Sequence, residues 1–275
     1  MDTFKKSLII AHYHRDGLLR DDLIKLIKHF KKNFSQIVFV STKLKKSESQ
    51  KINNFVKVIT RANFGYDFYS YKVGIEYLKK KLKKKFDKND IICLFPSSLI
   101  YAKPEKLLNK IEKIKKFDNC VFGLSKSWEI KEHLQSEMFI FSMNLFNKKS
   151  FSKWWTNIKK FKSRQIIIFN YEIGFSEFLS KEKIEKKTLF TKNINDYPNG
   201  IIKLIKQKLL NIFFKEKKIY KKNPLHFYWK EIYDEFGVLK IELLKANPHN
   251  IDMSIIRKRL SLKLFNKFKK DSMNN

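Results

Sequence analysis

Ser7-Leu8-Ile9-Ile10-Ala11-His12 runs directly into Tyr13-His14-Arg15-Asp16-Gly17. Four consecutive apolar residues with no helical spacing read as a strand buried on both faces, and the polar cluster behind them reads as its loop. Three more segments repeat the pattern: Gln36–Ser41 (QIVFVS), Val56–Thr60 (VKVIT) and Asp90–Phe95 (DIICLF). Helical patterns separate them. Asp21–Phe34 has apolar positions at 23, 24, 26, 27 and 30, Tyr69–Lys85 ends in a Lys run, and Pro104–Lys116 starts with Pro in its first turn. Continuous apolar strands alternating with helices predict an α/β fold with a mixed, mostly parallel sheet flanked by helices.

The second half is less regular. Cys120–Ser125 and Met138–Ser142 read as strands around a polar turn, Glu129–Glu137. Phe151–Phe161 reads as a short helix carrying Trp154 and Trp155, and Tyr171 opens another that runs to Leu179. From Ile201 the pattern is helical, with breaks at Pro224 and Pro248. Without a repeat or a linker, the expectation is one catalytic domain over 1–195, with halves at about 1–117 and 118–195, and a helical C-terminal extension over 196–275.

The chain has 275 residues, 43% of them hydrophobic, with 26 Phe, 11 Tyr and 4 Trp, enough for a sizeable core and too aromatic for a disordered chain. Two cysteines, Cys93 and Cys120, exclude a disulfide scaffold and read as buried thiols in a reducing compartment. The four-residue apolar run near the N-terminus is too short for a signal or a membrane span, so a cytoplasmic location is expected. A formal charge of +33 suggests nucleic acid, yet only six of the 60 basic residues are Arg, the residue suited to bidentate phosphate and guanine contacts. A nucleic-acid module therefore rests on charge alone. An excess of Lys, Ile, Asn and Phe reads as composition drift.

In such sheets, ligands bind outside the carboxyl ends of the strands. The segments there are His12–Gly17, Arg61–Phe68 and Pro96-Ser97-Ser98. Arg61, Asn63, Gly65 and Asp67 fall in one loop, where an Arg can pair a diphosphate, a Gly lets backbone N–H groups approach it, and an Asp accepts from ribose or base. The same Arg and Asp could equally pair with each other to close the loop. His12 and His14 have metal-like spacing but no third ligand nearby, so a polar binding loop is expected. His133, Gln135 and Ser136 sit on the central turn. Glu172, read as the start of a helix, would be held ionised by the helix dipole and could act as a general base.

Five blocks in order, HYHRDG from 12, RANFGYDFYSYKVGI from 61, HLQSEMFIFS from 133, NYEIGFSEFL from 170 and NPLHFYWKEIYDEFGVLKIELLKANP from 223, resemble the rhamnan synthesis protein F family over about 7–250. The resemblance implies a GT-A-like (Rossmann-like) glycosyltransferase of surface polysaccharide assembly. A nucleotide-sugar site would occupy the first half and an acceptor site the second. It implies that His12, Tyr13, Asp16, Arg61, Asn63, Gly65, Asp67, Lys72, Ser97 and Ser98 meet the nucleotide sugar. It also implies that Glu172 and His133 are catalytic and that Gln135, Ser136 and Trp155 face donor sugar or acceptor. The implied reaction is inverting transfer, with a dTDP-rhamnose-like donor and a lipid-linked or growing polysaccharide acceptor.

One departure stands out. Pro96-Ser97-Ser98 replaces the acidic segment that usually holds a divalent cation, and a neutral hydroxyl is a poor ligand for Mg²⁺ or Mn²⁺. No metal ligand is therefore assigned. Either basic groups such as Arg61 hold the leaving diphosphate, or the chain is a degenerate binding or scaffold protein. Residues 251–270 place Ile256, Leu260, Leu264 and Phe268 at four-residue intervals among Arg and Lys. That pattern fits a peripheral contact with an anionic membrane face or an ordinary packed helix.

Overall fold

The computed structural model describes residues 5–82, 86–87, 89–128, 130–190, 223–248, 251–260 and 265. The first half contains β1 (Lys6–His12), α1 (Asp21–Phe30), β2 (Gln36–Ser41), α2 (Lys46–Gln50), β3 (Lys57–Thr60), α3 (Tyr66–Leu82), β4 (Ile91–Pro96), β5 (Leu99–Tyr101) and α4 (Pro104–Glu112). Next come β6 (Cys120–Gly123), β7 (Lys126–Ser127), β8 (His133–Leu134), β9 (Phe139–Ser142), α5 (Lys149–Thr156), α6 (Arg164–Ile167), α7 (Gly174–Lys181) and β10 (Glu185–Thr188). The last segment contains α8 (Pro224–Phe227), α9 (Trp229–Phe236), β11 (Val238–Lys240), α10 (Ile241–Lys245) and α11 (Met253–Arg259).

Among the described residues the main sheet has the order β10-β6-β9-β4-β1-β2-β3. Every pair is parallel except those of β9, which runs against both β4 and β6. The mixed, mostly parallel sheet expected from the apolar runs is therefore present. Successive residues of β1 alternate between two cores. Leu8 and Ile10 pack with α1 and α4 residues such as Leu26 and Leu107, while Ile9 and Ala11 pack with Ile75 of α3 and Phe175 of α7. Removing each such side chain from water contributes about 1.5–3 kcal/mol. Gly74 of α3 lies so close to β1 that a Cβ there would meet Ile9 Cγ2 at 2.6 Å.

Two consequences of this topology build the site. β9 is antiparallel and pairs Phe139 with Leu94, so the residues just before it arrive at the carboxyl end of β4. β11 pairs antiparallel with β5 in the register Lys240↔Leu99, and Ile241 N–H donates to the Ser98 carbonyl (3.0 Å). The C-terminal segment is thus stitched to the same strand end, and it includes a strand where helix alone was expected.

The described part of the basic stripe near the C-terminus differs from a membrane-facing helix. Ile256 and Leu260 are buried with Trp229, Tyr233 and Leu243, and Tyr233 Oη donates to the Arg259 carbonyl (2.5 Å). Its apolar face is already covered by the chain itself. Leu264 and Phe268 lie outside the described residues, as do the expected domain boundary at 195–196 and the helical pattern over 201–222. Among the described residues no helix is long and apolar enough to cross a membrane. Cys93 and Cys120 are both buried and unpaired.

Candidate active site

A cavity of about 1120 Å³ opens at the carboxyl ends of β1, β3 and β4. It gathers twelve of the expected site residues: His12, Tyr13, Asp16, Arg61, Asn63, Asp67, Ser97, Ser98, His133, Gln135, Ser136 and Glu172. Three do not reach it. Lys72 donates from Nζ to the Thr156 and Ile158 carbonyls (2.6 and 3.1 Å), which ties α3 to the end of α5. Trp155 is buried among Phe68, Phe141 and Phe175, because its face of α5 packs on the sheet. With Lys72 it lines a separate cavity of about 150 Å³. Gly65 has φ +68° and donates its N–H to the Phe161 carbonyl (2.7 Å), so it makes the turn into α3 and offers no amide to a phosphate.

Arg61 lines the cavity with its donors already engaged. Nε and Nη2 donate to Ser70 Oγ, Nη1 to the Ala62 and Phe64 carbonyls, and Nη2 also to the Tyr66 carbonyl. Its guanidinium therefore closes the loop by binding the loop's own carbonyls, and the expected diphosphate clamp is not what its geometry offers. Burial lowers the Arg61 pKa to about 10, against the opposing pull of Asp67. Asp67 is pushed up to about 7 by burial, with Arg61 pulling it down and Glu172 and Glu137 pushing it up. His12 donates to or accepts from Ser41 Oγ (2.8 Å), and burial, then Arg20 and His14, lower it to about 3. It is a neutral ring.

Glu172 differs from its expected setting. It lies in a wide π turn, Ile168–Ile173, inside a helical run continuous from Arg164 to Lys181. It has no helix N-terminus to hold it ionised, and its pKa is raised. Burial is the first cause and Glu137 the second, opposed by the Ser136 N–H, His133 and Lys240. Its Oε1 accepts from the Ser136 N–H (3.1 Å) and Oγ (3.0 Å). His133 is buried, with Nδ1 2.7 Å from the Lys131 carbonyl, an acceptor only, so Nδ1 carries a proton and donates it there.

Sequence reasoning missed the groups that hold this wall. Glu137 is 4% exposed and accepts from Lys240 Nζ (2.7 Å) and Asn223 Nδ2 (3.0 Å). Asn223 and Lys240 lie 86 and 103 residues further along the chain. The block from 223 carried a resemblance, but nothing local marked either residue as part of the site. Arg20 and Asp22 were missed as well. Arg20 pairs with both Asp22 oxygens (2.9 Å each) and donates to the Ser97 and Leu99 carbonyls, while the Tyr101 N–H donates to Asp22 Oδ2 (3.0 Å). That pair shapes the turn after β4.

The residues at this turn do not fit a divalent cation. Ser97 Oγ accepts from the Tyr13 N–H (3.0 Å), Ser98 is neutral, and both lack the charge a hard cation needs. Glu137 and Glu172 are engaged as described. Among the described residues no three His, Cys, Asp or Glu side chains come together as a metal-ligating group.

Comparison with known proteins adds relatives. The chain is similar to virulence protein VirA of Vibrio anguillarum, 27% identical over 198 residues covering 69% of this chain, and it spans 62% of that relative's length. Among solved structures it is similar to glucosyl-3-phosphoglycerate synthase from Mycobacterium tuberculosis in complex with Mn²⁺ and UDP-glucose. That match has TM-score 0.43 and 9% identity, covering 77% of this chain and 78% of that one. A 4-diphosphocytidyl-2C-methyl-D-erythritol synthase gives TM-score 0.42 and 9% identity, covering 74% and 98%. The family model described as rhamnan synthesis protein F matches residues 36–224, well over half of the sequence and three of the five blocks in full. This chain belongs to the rhamnan synthesis protein F family.

Proposed function

We propose that the chain is a GT-A-like, inverting glycosyltransferase of surface polysaccharide synthesis, with a nucleotide-sugar donor and a lipid-linked or growing polysaccharide acceptor. The observation that carries the reading is the cavity itself, lined by Glu172 and its support Ser136 together with residues of the loops after β1 and β3. Tyr13, 55% exposed at the rim, offers a ring for a nucleobase to stack on, and Asp16, Asn63 and Asp67 offer polar groups for base and ribose. Ionised Glu172 takes the proton of an acceptor hydroxyl. The oxygen attacks the anomeric carbon from the face opposite the leaving group, and the C–O bond to the nucleoside diphosphate breaks with its electron pair on the departing phosphate. The proton stays on Glu172. His133 of β8 and Gln135 just after it face the sugar. A dTDP-rhamnose-like donor belongs to this proposal, as does a location at the cytosolic membrane face.

Glu172→Gln tests it. Donor-dependent transfer falls by about 10²–10⁴-fold, the usual worth of a positioned base, while donor binding persists. Near-normal transfer by the variant overturns the assignment. A thermal-shift screen over dTDP-, UDP- and GDP-sugars identifies the donor, because a ligand bound only by the folded state raises the midpoint. The neutral Ser97-Ser98 pair favours a second reading, a transferase-fold binding or scaffold protein. In that case a nucleotide binds and no sugar is transferred.

A further inference from the structure

A donor diphosphate brings two or more negative charges into the cavity, and the turn after β4 has no carboxylate through which a divalent cation could meet them. The turn is built by other means. Its carbonyls are held by Arg20, and its one buried hydroxyl is held by the Tyr13 N–H. The topology supplies a different cation at the same place. β11 lies on β5 with Lys240 opposite Leu99, two residues past Ser97, and the following N–H of Ile241 is bonded to the Ser98 carbonyl. The Lys240 side chain lines the cavity, and its buried ammonium remains charged beside Glu137 Oε1 at 2.7 Å. An ammonium has three donors and Glu137 takes one, so Glu137 aims the group and leaves donors for a ligand.

Arg15, Arg20 and Lys162 also line the cavity, and two further cations reach it on or beside α10. Lys245 lies in the next turn of α10, and Arg164 is close enough to α10 for its charge to act on Glu242. Both are exposed at the rim. Arg61, the cation that spacing alone singled out, is spent on its own loop.

We infer that Lys240, with Lys245 and Arg164, holds the diphosphate of a nucleoside diphosphate or its sugar ester, in place of a divalent cation. This rests on the reading of the cavity as a donor site. Charge-assisted N–H···O bonds are about twice as strong as neutral ones, and fixed side chains need no metal to deliver them. After transfer, the same groups would stabilise the leaving dTDP, UDP or GDP.

The test is calorimetric titration of the full chain with dTDP, UDP and GDP, in EDTA and then with Mn²⁺ or Mg²⁺. The expected result is binding in EDTA, weakened at least about tenfold in the Arg164→Ala/Lys245→Ala variant and more strongly in Lys240→Met. Lys240→Arg, which keeps the charge, retains most of the affinity. The double variant changes exposed positions, so it reports even if Lys240→Met fails to fold. Binding that appears only with the metal overturns the inference and leaves the donor site standing. Metal-free binding that is unchanged in the double variant and in a folded Lys240→Met also overturns it. If no nucleoside diphosphate binds under either condition, the donor-site reading itself falls, and this inference with it.

Discussion

Glu172 Oε1 accepts both the backbone N–H and the hydroxyl of Ser136, at 3.1 and 3.0 Å. The two donors favour the ionised carboxylate, while burial and the nearby Glu137 charge disfavour it, and the latter effects win because the Glu172 pKa is raised. A base works only in its ionised form, so transfer rises with pH through a midpoint above the ordinary carboxylate range. Ser136→Ala removes one donor and moves that rising limb of kcat/KM to higher pH. A limb that stays in place separates Ser136 from the base.

Lys240 and Glu137 form the ion pair that closes the wall, with side-chain exposures of 15% and 4%. Lys240→Met leaves a buried carboxylate without its cation, a change that costs about 3–5 kcal/mol. Glu137→Gln in the same chain recovers most of it, because the second charge is then gone as well. Urea denaturation of the two single variants and the double measures the coupling. Additive effects would show that the pair does not stabilise the fold.

Gly65 has φ +68°, and a Cβ built there meets Tyr69 Cβ at 2.5 Å. Gly65→Ala therefore lowers stability by about 1–3 kcal/mol, the usual cost of forcing such a backbone. Thermal melts without ligand measure this. Unchanged melts combined with weaker nucleotide binding would restore the phosphate-contact role that the structure does not support.

His12 is lowered to about 3 from 6.5 by burial, then by Arg20 and His14. Between those values the unfolded chain binds a proton that the native chain refuses. The stability this group contributes is complete above about 6.5 and is lost as pH falls towards 3. His12→Asn flattens this part of the stability curve, measured as urea midpoints from pH 7 to 4. An equal slope in both proteins would show that His12 is not the group responsible.

The first four strands and the helices α1, α3 and α4 were legible because their signals are local, while the short α2 and β5 were not read. Runs such as QIVFVS need only be apolar on both faces to mark a central strand, and β2 begins and ends where its sequence predicts. The loops at the strand ends were legible for the same reason, since a parallel sheet directs its ligands there. Glu172 was legible as a residue and not as an environment. Its segment looked like a helix start because Arg164–Ile167 is too short to announce itself, and the dipole inferred for it is absent.

From the sequence alone come the α/β class, the family resemblance, the missing acid after β4 and twelve of the residues around the cavity. Tertiary structure decided what those residues are free to do. Arg61 binds its own loop because four acceptors converge on it, and Trp155 is core because its helix face meets the sheet. Lys240 reaches the end of β4 because one short antiparallel pairing spans about 140 residues. Strand formation follows from nearest neighbours along the chain, but hydrogen-bond saturation and charge placement depend on contacts that no local pattern encodes.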